Sequence, residues 1–512
     1  MLRDDFEKPI ISIFLENVEK SPNKIATYAD DLRVTYLELA LYTKSLISEL
    51  CGMGFAKGDK VAVLMPNCIE FQALLLAASY IELVLVPLPS SASRAAAEKT
   101  TSLAGCTKII VSNISLFSEN HSGADIFEVH AFGGGLASYR GWLEEGSKGF
   151  PVDLFQSRLI NINSPYIISA TSGSTGNPKL IALSQRNKIL RIFLGAVDLY
   201  NLNSSDVILV GSPMYHSLGM RLSILPLLIG GSAVIMTAFT IDSWLHSIDK
   251  YQITFTIAIS SQLSAISNFA NFDLYSLKSL RALVSSSASL ELHMKKVLVE
   301  KFRCSIFECY GASEIGIATT LNLSTQLNKY KTVGKPLSYV DIRIEAGEIL
   351  VKTDTIFNGY YSQVELTNQS FKDGYFKTGD LGRLDKDGYL YYLGRSKDLI
   401  ITGGINVYPG DVEQVIMKAN GVIDVAVVGI PDEYFGEAVI AVIQVLGEVS
   451  KLEIQNLCAR ELTDFQRPLA YIFIDELPKS ELGKIKKGDL REQYKNLDAS
   501  KRLRSLLIGV TK

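Results

Sequence analysis

Four short segments carry side chains that can do chemistry at a phosphate ester. The first is Thr171-Ser172-Gly173-Ser174-Thr175-Gly176-Asn177-Pro178-Lys179, after an apolar run from Tyr166 to Ala170. Hydroxyls and N–H groups on small residues can donate to polyphosphate oxygens, and glycine lets the backbone come close. Lys179 adds a positive charge. The spacing is not that of a Walker A loop, because no Gly-Lys-Ser/Thr follows. By itself such a run reads more readily as a surface turn. The second segment is Tyr310-Gly311-Ala312-Ser313-Glu314. A carboxylate beside a hydroxyl suits Mg²⁺, which keeps most of its waters and needs few protein ligands; a capped loop is the alternative.

The third segment is residues 372–413. Within it Asp380 can accept from the two hydroxyls of a ribose, and Arg395 can reach the ribose or a phosphate. Turn chemistry and a solvated charge are the competing readings. The fourth, Leu477 to Ile485, places Lys484 directly after Gly483. A lysine on a glycine loop can enter a site as a point charge, or it is one more surface lysine in a basic tail.

The elements that must position these residues follow from hydrophobic patterning. Thr35 to Leu50 has helical spacing, with Thr35 as cap and Glu38 three residues later. Lys60 to Met65, Val84 to Pro87, Lys108 to Val111, Val207 to Val210 and Ala233 to Met236 read as strands, with a helix from Ile69 to Tyr80. Strands separated by helices imply α/β layers with mainly parallel sheets. From about Gly347 short strands alternate with the turns Asp373-Gly374 and Asp387-Gly388, as in a small β-rich subdomain spanning about residues 335–396. Beyond Arg395-Ser396-Lys397 a compact α/β unit begins, with a helix near Asp411 to Ala419 and strands at Val425–Val428 and Val439–Val445. The expected organisation is a large N-terminal domain, 1–396, and a small C-terminal domain, 397–512.

Length and composition agree. At about 100–200 residues per domain, 512 residues make several structural units. Hydrophobic residues are 47% and charged residues 21%, a globular balance. Lys and Arg number 51 against 54 acidic residues, so no basic excess favours nucleic acid. Six scattered cysteines without a CxxC pattern fit reduced thiols in a cytoplasmic protein. The charged start MLRDDFEKP lacks an apolar signal core. The uncharged stretch Leu222–Ile241 is long enough to span a membrane, but Pro226 and Gly230-Gly231 split it into a short helix, a turn and a strand.

Taken together and in order, the four segments resemble the adenylate-forming superfamily of acyl-CoA synthetases, peptide-synthetase adenylation domains and firefly-type luciferases. Its phosphate loop, YGxTE magnesium motif, TGD ribose motif, GRxK/D hinge and late PxxxxGK lysine all have counterparts here, from about Thr35 to Leu490. The resemblance implies a mobile small C-terminal domain and these roles. Thr171, Ser172, Gly173, Ser174, Thr175, Gly176 and Lys179 hold the β- and γ-phosphates of ATP. Ser287, Ala288 and Ser289 lie against adenine, Tyr310 stacks on it beside Gly311, and Ser313 meets the α-phosphate. Glu314 binds Mg²⁺, and Asp380 and Arg395 hold the ribose. Lys397 is the hinge. Lys484 is catalytic in adenylation, Gly403 and Gly404 line a pantetheine tunnel, and His216 sits by the acyl site.

The sequence departs from the family at Leu180 and Gln185, which replace a usual glycine and a frequent histidine, and at Ser286, Ser287 and Ser289 in the adenine segment. Ile259-Ser260-Ser261 stands where a Val-Pro turn is common. None removes a charged catalytic group. Three functions compete: a fatty or aryl acyl-CoA ligase, a stand-alone enzyme loading an acyl carrier protein, and a catalytically weak nucleotide-binding regulator. Retention of Lys484, Glu314 and Asp380 argues against the last. No acidic residue lies between Ser212 and Thr240 to pair with an amino group. Leu218, Met220 and Ile224 therefore suggest an uncharged acyl end, a medium or longer fatty acid first and an aryl acid second.

Overall fold

The helix Tyr36–Gly52 begins where its cap predicts: Thr35 Oγ1 accepts from the Glu38 N–H, and the Glu38 carboxylate accepts from the Thr35 N–H at 2.8 Å. This closed box satisfies two of the donors that every helix start leaves open. The computed structural model describes residues 3–111, 125–128, 158–171, 179–286, 288, 290, 292–447, 449–479 and 485–500.

Two sheets form the large α/β body. One runs, edge to edge, through Lys335–Pro336, Gly316–Asn322, Ser305–Ala312, Ala282–Ser286, Phe255–Ile259, Val207–Val210, Ser232–Ile235, Ile25–Ala29 and Leu32–Thr35. Its central strands are parallel. The other runs through Gly359–Tyr360, Lys179–Ser184, Pro165–Thr171, Val84–Pro87, Lys60–Leu64, Lys108–Val111 and Asp125–Glu128. The helices Ile69–Ile81 and Ser217–Ile229 are buried almost all round, which is the signature of helices shared between layers. Buried Gln72 joins them: it accepts from Thr27 Oγ1 at 2.6 Å and donates to the Ser223 carbonyl at 2.7 Å.

The stretch Leu222–Ile241 enters this core as a helix end, the turn at Gly230-Gly231 and the strand Ser232–Ile235. Pro226 does not end the helix, which continues to Ile229. Its carbonyl accepts from the Gly231 N–H at 2.8 Å and from Tyr36 Oη at 3.1 Å, so the turn and a neighbouring helix take up the local hydrogen bonding. Among the described residues no helix is long and apolar enough to cross a membrane.

A third, antiparallel sheet follows in Val340–Glu345, Glu348–Thr353, Tyr375–Leu384 and Phe371–Lys372, with Leu390–Arg395 on the far side of Tyr375–Leu384. Asp373 (φ 50°) and Gly374 (φ 80°) make its tight turn with two positive φ angles, as a short hairpin requires.

The fourth sheet is C-terminal: Ile405–Val407, Ile400–Thr402, Gly436–Val445 and Val422–Asp432, plus Ala470–Ile474. Strand periodicity explains its apolar runs. Val425, Val427, Val439, Ala441 and Ile443 pack on one face with Val412, Ile416 and Ile454. Ala426, Val428, Ile440 and Val442 pack on the other with Leu477 and Leu490. Both faces are covered, so the strands are hydrophobic at successive positions.

Candidate active site

A cleft of about 3740 Å³ is lined by residues of both α/β sheets, the antiparallel sheet and the C-terminal unit. The strand Ser305–Ala312 pairs with Gly316–Asn322 and delivers Tyr310 and Gly311 to the cleft, with Ser313 and Glu314 in the connecting turn. A Cβ at Gly311 would stand 2.1 Å from the Gly316 carbonyl oxygen, so only glycine permits this close strand approach.

Asp380 and Arg395 are opposite residues of adjacent antiparallel strands. Arg395 Nε lies 2.8 Å from Asp380 Oδ1, and Tyr310 Oη donates to Asp380 Oδ2 at 2.8 Å. Tyr392 lies beside Tyr310, ring centroids 5.8 Å apart. Burial opposes the Arg395 charge, but Asp380, with Tyr392 and Tyr310, outweighs it and holds the guanidinium above its ordinary pKa. Burial, reinforced by Asp380, drives the Tyr310 hydroxyl well above the usual phenol range, so it stays a donor.

A second constellation joins the phosphate-loop lysine to the acidic residue of the YGxTE-like motif. Tyr360 Oη donates to Glu314 Oε1 at 3.0 Å, and Lys179 Nζ sits 5.0 Å from the centre of the same ring. Tyr360 reaches this point because Gly359–Tyr360 pairs antiparallel with Lys179–Ser184. Burial, then the Glu314 charge, keeps its hydroxyl protonated. Lys179, Glu314, Tyr310, Asp380 and Arg395 thus share one cleft with His216, Ala288 and Ser313.

Thr171 ends the strand Pro165–Thr171 opposite Lys179. Ser172, Gly173, Ser174, Thr175, Gly176, Ser287, Ser289 and Lys484 lie outside the described residues. The neighbours of Lys484, Ile485 and Lys486, line the cleft. Lys397 is exposed in the 3₁₀ turn Ser396–Asp398, one element after Arg395. Gly403 (φ 56°) and Gly404 (φ 78°) form an exposed turn between Ile400–Thr402 and Ile405–Val407, and neither lines the cleft. Of the expected apolar trio only Leu218 lines the cleft. Met220 and Ile224 point the other way, buried in the core, because positions two and six beyond Leu218 turn off its helical face.

The pattern of the AMP-binding enzyme family matches residues 14–361, and that of the AMP-binding enzyme C-terminal domain matches residues 411–484. The chain belongs to the AMP-binding enzyme family. Similar relatives of this AMP-binding enzyme include the indoleacetate–CoA ligase of Aromatoleum aromaticum, 29% identical over 494 residues, covering 92% of this chain and 95% of the relative. A long-chain-fatty-acid–CoA ligase of Mycobacterium tuberculosis is 28% identical over 487 residues, covering 91% and 94%. Among solved structures, ATP-bound MatB from Rhodopseudomonas palustris superimposes with a TM-score of 0.83 at 26% identity, covering 95% of this chain and 99% of that one.

Several residues of this AMP-binding enzyme escape a motif reading. Tyr360 carries no motif. Arg191 is 5% exposed and donates to three carbonyls, those of Thr355 (2.9 Å), Ser313 (2.8 Å) and Glu314 (2.9 Å), so it clamps the Ser313–Glu314 turn from behind. Gln185, at the frequent histidine position, faces inward: it accepts from the Ile10 N–H (3.0 Å) and Ser79 Oγ (2.7 Å) and donates to the Ser79 carbonyl (3.0 Å). The helix Gln185–Ile192 reads QRNKILRI and looks solvated, yet all of it except Arg186 is buried. Lys188 and Arg191 meet the cleft while Gln185 and Asn187 bond other parts of the protein, a fact no periodicity reveals.

Proposed function

We propose that this enzyme activates a carboxylic acid, aliphatic or aryl, with ATP through an acyl-AMP and passes the acyl group to the thiol of CoA. The observation that carries the reading is the meeting of Lys179, Glu314 and the Tyr310–Asp380–Arg395 group in one cleft of a chain of this family. The division of labour follows from charge. A carboxylate must approach the α-phosphate of a polyanion, so the site must offset charge and fix geometry; no covalent enzyme intermediate is needed.

Lys179 and the Thr171–Gly176 donors bind the triphosphate. Asp380, held by Tyr310 and Arg395, accepts the ribose hydroxyls, and Ala288 with its neighbouring serines borders the adenine. Glu314 is a single carboxylate steadied by Tyr360. That fits Mg²⁺ arriving with the nucleotide phosphates rather than in a protein cage. When bound, Mg²⁺ supplies neutralising charge at the phosphates. Lys484 bridges the acid carboxylate and the α-phosphate. The C-terminal unit, from Lys397 onward, then turns so that Gly403-Gly404 meets the site and pantetheine enters past His216. Its orientation here, with Ile485 and Lys486 on the cleft and Gly403-Gly404 off it, supports an adenylation-side arrangement.

All six cysteines are free, which suits a cytoplasmic enzyme using ATP and CoA. A carrier protein presents the same pantetheine thiol and is the alternative acceptor. The deciding experiment is ATP–pyrophosphate exchange over a panel of carboxylic acids, followed by the product mass with CoA and with a carrier protein. Exchange that depends on an acid, and an acyl-CoA mass, are expected; no exchange with any acid overturns the reading.

A further inference from the structure

Three cations line the cleft close together, and two of them, Lys188 and Arg221, have no part in the adenylation roles assigned above. Lys188 and Arg191 lie one turn apart on the helix Gln185–Ile192, and Arg221 lies on the helix that starts after His216. Lys188 is 3% exposed, and its Nζ is buried without a hydrogen-bond partner. Arg221 Nε is likewise buried and without a partner, as is the hydroxyl of Tyr339, which sits in the field of both arginines.

Glu314 acts on Arg191 through its charge without forming an ion pair, and among the described residues no carboxylate acts on Lys188 in this way. Among the described residues no carboxylate lies within ion-pairing distance of Lys188, Arg191 or Arg221. Glu308, which shares the cleft, is bound by Lys295 and by the Leu290 N–H. Glu314 is engaged by Tyr360. The stretch 172–178 contains no acid. A buried unpaired ammonium is strongly unfavourable, and burial with Arg191 and Arg221 pushes Lys188 down to about 7. A bound anion reverses that shift by favouring the charged form.

We propose that Lys188 and Arg221 receive a second carboxylate, so that the acid activated is a dicarboxylic one, aliphatic or aryl, held by its distal end. This rests on the ligase reading above and narrows its substrate class. It also replaces the uncharged acyl end suggested by Leu218, Met220 and Ile224, two of which face the core. The position argues against the nucleotide as the anion. Arg191 grips the Ser313–Glu314 turn, and Lys188 lies about 4.5 Å back along the helix axis, one turn further from it. Its burial argues against the phosphates of CoA, which enter from solvent.

The test compares acids matched in length and shape: hexanoate with adipate, benzoate with the phthalate isomers, and each diacid with its monoamide. Pyrophosphate exchange should favour the best diacid over its monoacid by roughly 10²-fold or more in kcat/KM, because a site built for a polar group rejects the analogue lacking it. Lys188→Met and Arg221→Met should each lower that ratio by about tenfold or more. Removing an unpaired buried charge with little change of volume leaves the fold intact, which a melting curve verifies. The same melting curves should show stabilisation by the diacid in the unaltered enzyme, reduced in both variants. Equal use of monoacid and diacid, or a ratio unchanged in both variants, overturns the proposal while leaving the ligase reading in place. Absence of exchange with every acid counts against the ligase reading instead, and diacid-dependent stabilisation lost in Lys188→Met then supports the subsite without turnover, just as its absence overturns it.

Discussion

Tyr360 Oη donates to Glu314 Oε1 at 3.0 Å while its ring lies 5.0 Å from Lys179 Nζ, so one buried phenol links the lysine of the phosphate loop to the proposed magnesium carboxylate. The two motifs are far apart in sequence, and the strand Gly359–Tyr360, paired with Lys179–Ser184, closes the distance. A Tyr360→Phe change keeps the ring and removes the donor. A hydrogen bond to a charged group contributes about 1.5–3 kcal/mol, so KM for MgATP should rise by roughly tenfold or more. Steady-state kinetics at varied Mg²⁺ check this, and an unchanged KM would show that the hydroxyl does not position Glu314.

The Asp380–Arg395 pair makes a different prediction. Asp380 is 2% exposed and holds two partners, Tyr310 and Arg395. Asp380→Ala leaves the buried Tyr310 hydroxyl without its acceptor, at about 1–3 kcal/mol, while the Arg395 side chain, 41% exposed, can be hydrated. The melting temperature should fall and ATP binding should weaken together. Asp380→Asn keeps an acceptor for Tyr310 and should recover much of the stability but not the nucleotide affinity. Calorimetry with ATP alongside melting separates the two effects.

For Lys484, replacement by alanine should cut acyl-AMP formation by at least ~10²-fold, as for loss of one preorganised charge donor. The thiol step from supplied acyl-AMP should survive. Near-normal adenylation in Lys484→Ala would sink the assignment.

Lys397 stands exposed in the turn Ser396–Asp398, and Arg491 of the C-terminal unit reaches back to Asp398 at 2.9 Å. Lys397→Pro fixes the backbone φ there. Adenylation should persist while thioester formation falls sharply. Equal loss of both half-reactions with a normal melting curve would remove the hinge role.

Lys295 and Glu308 form a buried ion pair, and Lys295 Nζ also donates to the Tyr330 carbonyl at 2.6 Å. Burial raises the Glu308 carboxyl against the opposing pull of Lys295. Lys295→Met alone leaves an unpaired buried acid and should destabilise by about 3–5 kcal/mol; adding Glu308→Leu should restore most of it. Denaturant unfolding of the single and double variants measures the difference.

The sequence by itself determined the α/β class, the capping box at Thr35, the strands from Lys60 to Val111, and the family, through motifs whose chemistry needs neighbouring residues in a fixed local order. A glycine for close approach, a hydroxyl beside a carboxylate and a strand of apolar residues are contiguous features, so they survive in one dimension. Tertiary structure alone decided what faces the cleft. QRNKILRI has the composition of a solvated helix, and only the packing of Gln185–Ile192 against the core buries Lys188 and Arg191. Met220 and Ile224 look like a pocket lining until their helix turns them into the core, leaving Leu218 and Arg221 on the cleft. Periodicity tells which residues share a face, but the partner of that face, whether water, core or substrate, is set by elements distant in sequence, and the charge a buried lysine must meet is set there too.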